Sequence, residues 1–418
     1  MKRVDNINKR KSIKKLIENS IHDFELDLNG DTKFSIFEII IIILISIVFG
    51  IVIGYIITYT KSNSIENDEN LTEIISAYNT LKSNYYKDID DNTLSNAAIK
   101  GMINSLDDPY SNYLDEESAT SFNESIDGFY VGIGVTVSYE DGKCVIILVN
   151  ENGPAAKAGL KVNDIIVSVD GKRITEENTY QIIDLIKGDA GTKVNIKVLR
   201  GNKEKSYIIV RKEINIESVF SKYYEVDSSK IGYIKIKNFA SNTYSQFKYN
   251  LESLEKKNIN RLIIDVRGNP GGHLSQTNKI LSMFFTKKTI LYKIKDSSGT
   301  INVNSNSKDK RDYPIVIMID GGSASASEIL ASCFKDNYND AIIVGTNSYG
   351  KGSVQKSQNF SSGISIKYTT EQWLTSKGKS IDGKGIKPDY EIKLNEEYYS
   401  KPSFENDNQM QLAISKLK

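Results

Sequence analysis

The longest run of apolar positions covers residues 39–57, where Ser46 is the only clearly polar side chain among 19 residues. As a helix rising about 1.5 Å per residue, this run is about 28 Å long, close to the roughly 30 Å hydrocarbon core of a bilayer. Isoleucine is common in strands, but a backbone in lipid must satisfy its own hydrogen bonds, which favours a helix. The pattern therefore predicts one transmembrane helix, over residues 39–60.

Basic residues are distributed unequally on the two sides of the apolar run. Eight of them precede it, whereas the 20 residues that follow hold only Lys61. Because Lys-rich and Arg-rich loops stay in the cytoplasm, we expect a cytoplasmic segment over residues 1–38 and an extracytoplasmic region from residue 61 onward, in a single-pass protein of the cell membrane. A cleaved signal peptide is disfavoured, since the run is long, starts late and lacks a small-x-small exit site.

Helical periodicity marks residues 61–127. Ile74, Ile75, Tyr78 and Leu81 recur at i, i+1, i+4 and i+7, and a second group with the same period follows over residues 94–102. The segment LDDPYSNYL, residues 106–114, then breaks the helix at its proline. This helical amino-terminal region is either the dimerisation arm of a homodimer or a packed cap, and the sequence leaves both open.

Short apolar strands separated by turn residues fill residues 128–212. The pairs Asp141-Gly142 and Asp170-Gly171 mark hairpin turns, and a helix predicted over residues 175–187 is stopped by a glycine. The strands are predicted at residues 130–138, 144–149 and 165–169, before a last hairpin of alternating Val and Ile over residues 194–198.

This β-rich unit resembles a PDZ domain. The resemblance rests on the GIG motif at Gly132, Ile133 and Gly134, and on the run GPAAKAGLKVNDIIVSVDG over residues 153–171. In that family a peptide adds to a sheet edge beside a helix while backbone amides hold its terminal carboxylate, which implies that these three residues bind peptide. The alternative is that the GIG motif marks only close packing of the backbone.

Strands and helices alternate from residue 213 to residue 398. This pattern predicts an α/β core, a sheet with crossover helices, whose site lies at the strand ends. The strands are predicted at residues 231–236, 262–266, 315–319 and 341–344, and the helices at 243–257, 274–285 and 326–335. The tail over residues 399–418 is predicted to form a short helix, to which we assign no role.

Composition excludes several classes of protein. A net charge of +1 gives no electrostatic attraction for nucleic acid, so we expect no nucleic-acid partner. Two cysteines, Cys144 and Cys333, have neither the number for a disulfide framework nor the spacing of a zinc site, and we expect both to be buried. We predict no metal and no cofactor.

Two short motifs hold candidate chemistry: GGSASASEI over residues 321–329 and YGKGSVQ over residues 349–355. A catalytic serine needs a base, and the only histidines are His22, on the predicted cytoplasmic side, and His273. The base is therefore His273 or a lysine with a lowered pKa, for which the glycine-flanked Lys351 is suited. Ser325 and Glu328 also fit a capping box, which is compatible with either a plain helix start or catalysis.

The loop DVRGNPGGH, residues 265–273, supplies backbone N–H groups that suit an oxyanion hole. The alternative is a tight turn between a strand and a helix. Neither this loop nor the helix start separates Ser325 from its neighbours Ser323 and Ser327 as a nucleophile.

Six segments, in order and around a PDZ-like unit, resemble the bacterial carboxyl-terminal processing peptidases over residues 71–395. They are LDDPYSNYL, GIGV, DVRGNPGG, GGSASASEIL, VGTNSYGKGSVQ and GKGIKPD. The resemblance implies Ser325 as nucleophile, Lys351 as base and Gln355 as the residue that orients the lysine. It also implies an oxyanion hole formed by Ala326 with Gly271 or Gly272.

The resemblance implies a serine endopeptidase that cleaves protein or peptide substrates with free carboxyl termini, captured by the PDZ-like unit and cleaved through an acyl-enzyme. Two segments depart from the family pattern: WLTSKG at residues 373–378, and KDNYNDAIIVG at residues 335–345, which is one residue longer than usual. The leading alternative is an inactive membrane-anchored PDZ scaffold, and another is a hydrolase that uses His273 as base.

Overall fold

A computed structural model describes residues 25–28, 32–66, 69–175, 182–308 and 311–417. By their contacts these residues divide into two compact units, with the boundary between Ala97 and Ala98, and the units are described separately.

The amino-terminal unit contains one long apolar helix. Residues 37–55 of this helix have a mean hydropathy of 3.0 and none of them is buried, so by length and composition the helix is able to cross a membrane. A helical region follows, as predicted. The elements are the antiparallel pair β1 (Glu25–Leu28) and β2 (Thr32–Ser35), then α1 (Ile36–Glu66) and α2 (Glu69–Asn84), with α3 (Asp91–Asn104) lying across the boundary between the units.

The β-rich part of the second unit has strands in the predicted regions, but the single strand predicted over residues 130–138 is divided at Ile133 and Gly134 into β4, which pairs with β11, and β5, which belongs to the larger sheet. Its sheet has the order β10-β9-β7-β6-β5, and its core is formed by apolar side chains that include the buried Cys144. Residues 176–181 of the predicted helix lie outside the described residues. The elements are β4 (Phe129–Gly132), β5 (Val135–Glu140), β6 (Lys143–Val149), α5 (Pro154–Ala158), β7 (Ile165–Val169), β8 (Lys172–Arg173), α6 (Ile182–Ile186), β9 (Lys193–Arg200), β10 (Lys203–Val210) and β11 (Lys212–Asn215). The helix α4 (Glu116–Asp127) precedes them.

The carboxyl-terminal part is built on a sheet of six strands in the order β12-β13-β14-β17-β18-β21. All the pairs after β13 are parallel, and the four predicted strands occupy the centre of the sheet. Three helices follow strands β13, β14 and β17. The elements are β12 (Val219–Val226), β13 (Ser229–Ile236), α7 (Thr243–Glu255), β14 (Arg261–Asp265), α8 (Leu274–Leu281), β17 (Ile315–Ile319), α9 (Ala326–Asn337), β18 (Ala341–Gly345) and β21 (Tyr390–Glu391).

Alternate residues of the central strands enter two different cores. Leu262 and Ile264 pack with helices α7, α8 and α9, whereas Ile263 packs in a second cluster. That second cluster contains Met410 and Ile414, from the carboxyl-terminal part of the chain. The tail thus contains a helix, as predicted, and this helix covers the other face of the sheet. The helices of this region are α10 (Glu396–Ser400) and α11 (Asn408–Lys416), and Met410 and Ile414 belong to α11.

A buried arginine ties this tail to the glycine loop after β14. The guanidinium of Arg267 donates to Asp265 at 2.7 Å, to Asp407 at 2.8 Å and to Gln409 at 2.8 Å. Arg267 is 8% exposed and Asp265 is fully buried, so removal of either partner would leave a buried charge, at a cost of about 3–5 kcal/mol. The tail thus helps to fix the loop that flanks the candidate site.

A second sheet was not predicted from the sequence. Its order is β16-β15-β20-β19, and a strand from the LDDPYSNYL segment pairs with β20. The residues of β19, SVQKSQN, are mostly polar, so they lack the apolar alternation that indicates a strand. The elements are β3 (Asn112–Leu114), β15 (Ile290–Asp296), β16 (Gly299–Asn304), β19 (Ser353–Asn359) and β20 (Ser365–Thr375).

Candidate active site

Ser325 occupies the turn between strand β17 and helix α9 and is the amino-terminal cap of that helix. Its backbone has φ 53°, in the left-handed region that residues other than glycine rarely adopt, and the residue is half-buried. Strain of this kind costs about 1–3 kcal/mol and is concentrated at functional sites. At the amino-terminal end of α9, Ser325 also lies where the helix dipole stabilises negative charge.

The two neighbouring serines have structural roles. Ser323 and Ser327 are fully buried. The hydroxyl of Ser323 donates to the Val266 carbonyl at 2.8 Å, and that of Ser327 donates to the Asn269 carbonyl at 2.9 Å. These bonds join the Ser325 turn to the glycine loop. The structure therefore supplies the distinction among the three serines that residue type and spacing did not.

The glycine loop after β14 lies directly against the Ser325 turn. A Cβ atom on Gly271 would come within 2.9 Å of the Ala324 carbonyl oxygen and 3.0 Å of Ser325 Cβ. A Cβ atom on Gly272 would overlap the backbone of Phe239. Both glycines have positive φ, 103° and 142°. Only glycine allows this close approach.

The backbone N–H groups of Ala326 and Gly272, which lie beside Ser325, have no hydrogen-bond partner within the described part of the chain. The N–H of Gly271, in contrast, donates to Asn269 Oδ1 at 2.9 Å. Of the two glycines predicted for an oxyanion hole, Gly272 is the one whose N–H has no partner among the described residues.

Lys351 lies in the loop after β18, and its backbone is held on several sides. The indole N–H of Trp373 donates to the Lys351 carbonyl at 2.8 Å. The next residue, Gly352, donates to Asp382 Oδ1 at 2.9 Å, and a Cβ atom there would come within 2.7 Å of Asp382 Cβ. The glycine beside the lysine thus allows its loop to pack tightly, as the sequence indicated.

The amine of Lys351 has a lowered pKa. Burial, and to a smaller extent the positive charge of Lys367, lower the pKa of Lys351 to about 8, although the carboxylates of Asp108 and Glu328 oppose this decrease. The lysine Nζ lies 5.0 Å from the centre of the Tyr110 ring. An appreciable fraction of this amine is therefore neutral near neutral pH, as a base requires.

The carboxylate of Glu328 joins the serine turn to the lysine loop. Its Oε2 accepts hydrogen bonds from the backbone N–H of Ser325 at 2.8 Å and of Lys351 at 2.9 Å. Its Oε1 accepts from the N–H of Gly350 at 2.7 Å and from the Ser348 hydroxyl at 2.6 Å. Because one oxygen accepts from both, the backbone nitrogens of Ser325 and Lys351 lie within about 6 Å of each other.

The side chain of Gln355 belongs to a polar network beside the lysine. Its amide donates to Ser353 Oγ at 2.7 Å and to Thr369 Oγ1 at 3.2 Å. Thr369 in turn donates to Asp108 at 2.6 Å, which also accepts from Ser111 at 2.6 Å. The described hydrogen bonds of Gln355 thus lead to a carboxylate that interacts with the lysine, and not to the lysine itself.

Sequence reasoning did not assign a role to Asp108, Lys367 or Thr369. Burial opposes ionisation of Asp108, but hydrogen bonds from Ser111 and Thr369 hold its pKa below its ordinary value. Asp108 lies within LDDPYSNYL, a segment that the resemblance had marked without a role. Lys367 lies on β20, a strand that was not predicted, so no signal in the sequence placed it near Lys351.

His273 is the amino-terminal cap of helix α8. Its Nε2 is buried and has no hydrogen-bond partner in the described part of the chain. Among the described contacts none joins His273 to Ser325, whereas Lys351 is tied to the serine turn through Glu328. The geometry thus favours the lysine over the histidine.

A groove lies beside helix α6 in the PDZ-like unit, here called the PDZ groove. The carbonyls of Ile133 and Gly134 accept hydrogen bonds from Ala155 and Asn150, whereas their N–H groups have no partner among the described residues. The lining is mostly apolar and consists of Tyr130, Gly132, Ile133, Gly134, Val135, Val137, Ile183, Ile186 and Lys187.

Family models match three parts of the chain. Residues 230–392 match peptidase family S41, residues 131–209 match the PDZ domain, and residues 56–118 match the amino-terminal domain of the activating protease CtpB. Among solved structures, the chain is similar to a photosystem II D1 C-terminal processing protease, at 24% identity and a TM-score of 0.45, over 77% of this chain and 92% of that one.

Two relatives from Bacillus subtilis (strain 168) decide the family. The carboxy-terminal processing protease CtpB is 39% identical over 333 residues, which cover 78% of this chain and 69% of that protein. The carboxy-terminal processing protease CtpA is 38% identical over 331 residues, which cover 78% and 70%. At this identity and coverage, the chain belongs to the carboxy-terminal processing proteases, serine-type peptidases of family S41 with a PDZ domain.

Proposed function

We propose that this protein is a membrane-anchored, extracytoplasmic endopeptidase that cleaves through a Ser325–Lys351 dyad. The observation that carries the proposal is the hydrogen bonding of one carboxylate, Glu328, to the backbone of both residues. The lowered pKa of Lys351 supports its role as the base.

In the proposed acylation step, Ser325 Oγ attacks the scissile carbonyl carbon while its proton passes to Lys351 Nζ. The oxyanion accepts hydrogen bonds from the N–H groups of Ala326 and Gly272, whose lack of another partner in the described residues supports this assignment. The lysine then gives its proton to the leaving amine, and water hydrolyses the acyl-enzyme. Gln355 helps to position the lysine through Thr369 and Asp108.

Substrate tails dock in the PDZ groove by their free carboxyl termini. The N–H groups of Ile133 and Gly134, which have no partner in the part of the chain that the structure describes, suit a terminal carboxylate, and Gly132 shapes the turn. The side chains of Val135, Ile183 and the other apolar lining residues suit an apolar terminal side chain. The preferred substrate is therefore an unfolded protein segment with an apolar end.

The helix α1 anchors the protein in the membrane. Its long apolar stretch and the basic residues that precede it support a single span with a cytoplasmic amino terminus.

The first prediction concerns the dyad. Ser325→Ala and Lys351→Ala each lower kcat/KM by about 10⁴-fold or more, because removal of the nucleophile or its base abolishes acyl transfer. Product masses from an unfolded protein with an apolar carboxyl terminus measure cleavage, and circular dichroism checks folding. His273→Asn is the control and retains full activity. If the unsubstituted protein binds the substrate and releases it uncut, it is a scaffold and the proposal fails.

The second prediction concerns pH. Because the base acts in its neutral form, kcat/KM rises as pH increases through about 8, the pKa of Lys351. Lys367→Met removes a cation that lowers this pKa, so the acidic limb of the profile moves to higher pH. Lys356→Met, on the exposed face of β19, leaves the profile in place. If the pH profiles of kcat/KM for the unsubstituted protein and the two variants superimposed, the titrating group would not be Lys351.

The third prediction concerns the carboxylate that joins the two loops. Glu328→Gln replaces an oxygen acceptor by an N–H donor that faces other donors, so kcat/KM falls by about 100-fold as the dyad loses its alignment. The free energy of unfolding falls by about 2 kcal/mol. In the matched control, Glu255→Gln, the carboxylate lost is a half-buried partner of Arg311 and Tyr313. Glu255→Gln is expected to unfold at a lower urea concentration but to keep its kcat/KM. If the two variants lost kcat/KM equally, the proposed role of Glu328 in aligning the dyad would be contradicted.

The fourth prediction concerns topology. A membrane-impermeant maleimide labels Ser121→Cys in intact cells, because this exposed position lies outside the membrane, whereas Ser12→Cys is labelled only after permeabilisation. The native Cys144 and Cys333 are buried and give no background in the folded protein. The reverse labelling pattern would invert the topology, and labelling of both in intact cells would exclude a single span.

A further inference from the structure

We propose that Asp108, in the segment LDDPYSNYL, is a positioning residue that stabilises the charged form of Lys351 when this lysine takes the proton of Ser325. The inference deepens the proposed function and rests on it, since it concerns how the base works. Asp108 belongs to residues 56–118, which match an amino-terminal domain, and lies outside residues 230–392, which match the peptidase family. By this assignment, a segment from outside the peptidase domain completes the active site.

Strand β3 fixes the segment against β20, the strand that carries Lys367. The two strands pair antiparallel, with Asn112 opposite Lys367. Just before β3, the hydroxyl of Ser111 accepts a hydrogen bond from the N–H of Thr369 at 3.1 Å. The Thr369 hydroxyl donates to Asp108 Oδ2 at 2.6 Å, so the carboxylate itself is attached to β20.

Three donors keep the Asp108 carboxylate ionised. Besides Thr369, the Ser111 hydroxyl donates to Oδ2 at 2.6 Å, and the N–H of Tyr110 donates to Oδ1 at 3.0 Å. Burial raises the pKa of Asp108, but these hydrogen bonds and the charge of Lys351 outweigh burial and hold the pKa below its ordinary value. Hydrogen bonds to a charged carboxylate favour that form. Asp108 is therefore a fixed negative charge at neutral pH.

The same segment reaches the lysine amine. The centre of the Tyr110 ring lies 5.0 Å from Lys351 Nζ, within the range for attraction between an ammonium group and an aromatic face. Burial raises the pKa of Tyr110 to about 12, so its phenol is neutral and adds no charge. Asp108 and Lys351 also attract each other, which raises the pKa of the lysine and lowers that of the carboxyl group. The ring and the carboxylate both favour the protonated amine.

The balance of charge around the amine explains why a second carboxylate matters. Glu328 and Asp108 are the anions that act on Lys351, and Lys367 is the cation. While Lys351 is neutral, these three groups have one excess negative charge, and protonation of the lysine brings the total to zero. Without Asp108, the protonated state would hold one uncompensated positive charge in a partly buried site, which is unfavourable. Asp108 therefore assists proton transfer from Ser325.

The test measures the pH dependence of kcat/KM for the full chain in detergent, with an unfolded protein that ends in apolar residues as substrate. Asp108→Asn removes the anion and lowers the pKa of Lys351, so the acidic limb of the profile moves to lower pH. On the alkaline plateau kcat/KM falls by about tenfold, because the base is weaker. A loss of packing alone would hydrate the amine and move the limb to higher pH. The direction of the shift thus separates an electrostatic role from a structural one.

Three further variants control for folding and for charge. Asp108→Ser is a second neutral variant, whose hydroxyl can still accept from the N–H of Tyr110, and it shifts the limb in the same direction as Asp108→Asn. Asp108→Glu keeps the charge and recovers most of kcat/KM. Asp115→Asn removes a nearby carboxylate that caps helix α4 by accepting from the Ser118 N–H at 2.8 Å, and it leaves the profile in place.

A second measurement titrates the amine without catalysis. In the Ser325→Ala protein, the rate at which acetic anhydride labels Lys351 is followed against pH by mass spectrometry of the labelled peptide. The midpoint is expected at about 8, and Asp108→Asn moves it to lower pH.

The outcomes separate the inference from the proposed function. If the labelling midpoint coincides with the kinetic limb but neither moves in the neutral Asp108 variants, Lys351 is the base and the inference fails alone. If midpoint and limb do not coincide, Lys351 is not the base, and the proposed dyad fails together with the inference. A limb that moves to higher pH, or equal losses of kcat/KM in Asp108→Glu and Asp108→Asn, would show that the carboxylate only supports the fold, which overturns the inference.

Discussion

One buried carboxylate holds the candidate site together. Glu328 is 1% exposed and accepts four hydrogen bonds, from the serine turn and from the lysine loop. A buried carboxylate is expensive unless its acceptors are satisfied, and here backbone N–H groups and a hydroxyl satisfy them. The serine turn follows β17 and the lysine loop follows β18. The hydrogen bonds of Glu328 to both therefore determine the distance between the two loops.

The rest of the second unit supports this arrangement from both faces of the sheet. Helices α7, α8 and α9 bury one face, and α11 buries the other. Through Arg267, the carboxyl-terminal segment also binds the glycine loop that flanks Ser325. The site is therefore stabilised by residues that are far apart along the chain, as rigid positioning of catalytic groups requires.

Periodicity predicted the central strands of the six-stranded sheet and the crossover helices, because buried parallel strands are strongly apolar. It missed β19 and β20, whose polar and apolar residues follow no simple alternation and whose pairing depends on distant segments. The short motifs and the family resemblance singled out Ser325, Lys351 and Gln355 as candidates. The surroundings of the lysine, Asp108 and Lys367, depend on the unpredicted sheet, so the sequence alone could not reveal them.

The left-handed backbone at Ser325 has an evolutionary consequence. Glycine is the residue that this geometry prefers, but glycine has no hydroxyl group with which to attack a carbonyl. The strain, about 1–3 kcal/mol, is a standing cost of keeping the proposed nucleophile at this turn. Under the proposed mechanism, a descendant that gave up catalysis would gain stability from a glycine at this position, and that glycine would mark a lineage that had lost the proposed nucleophile.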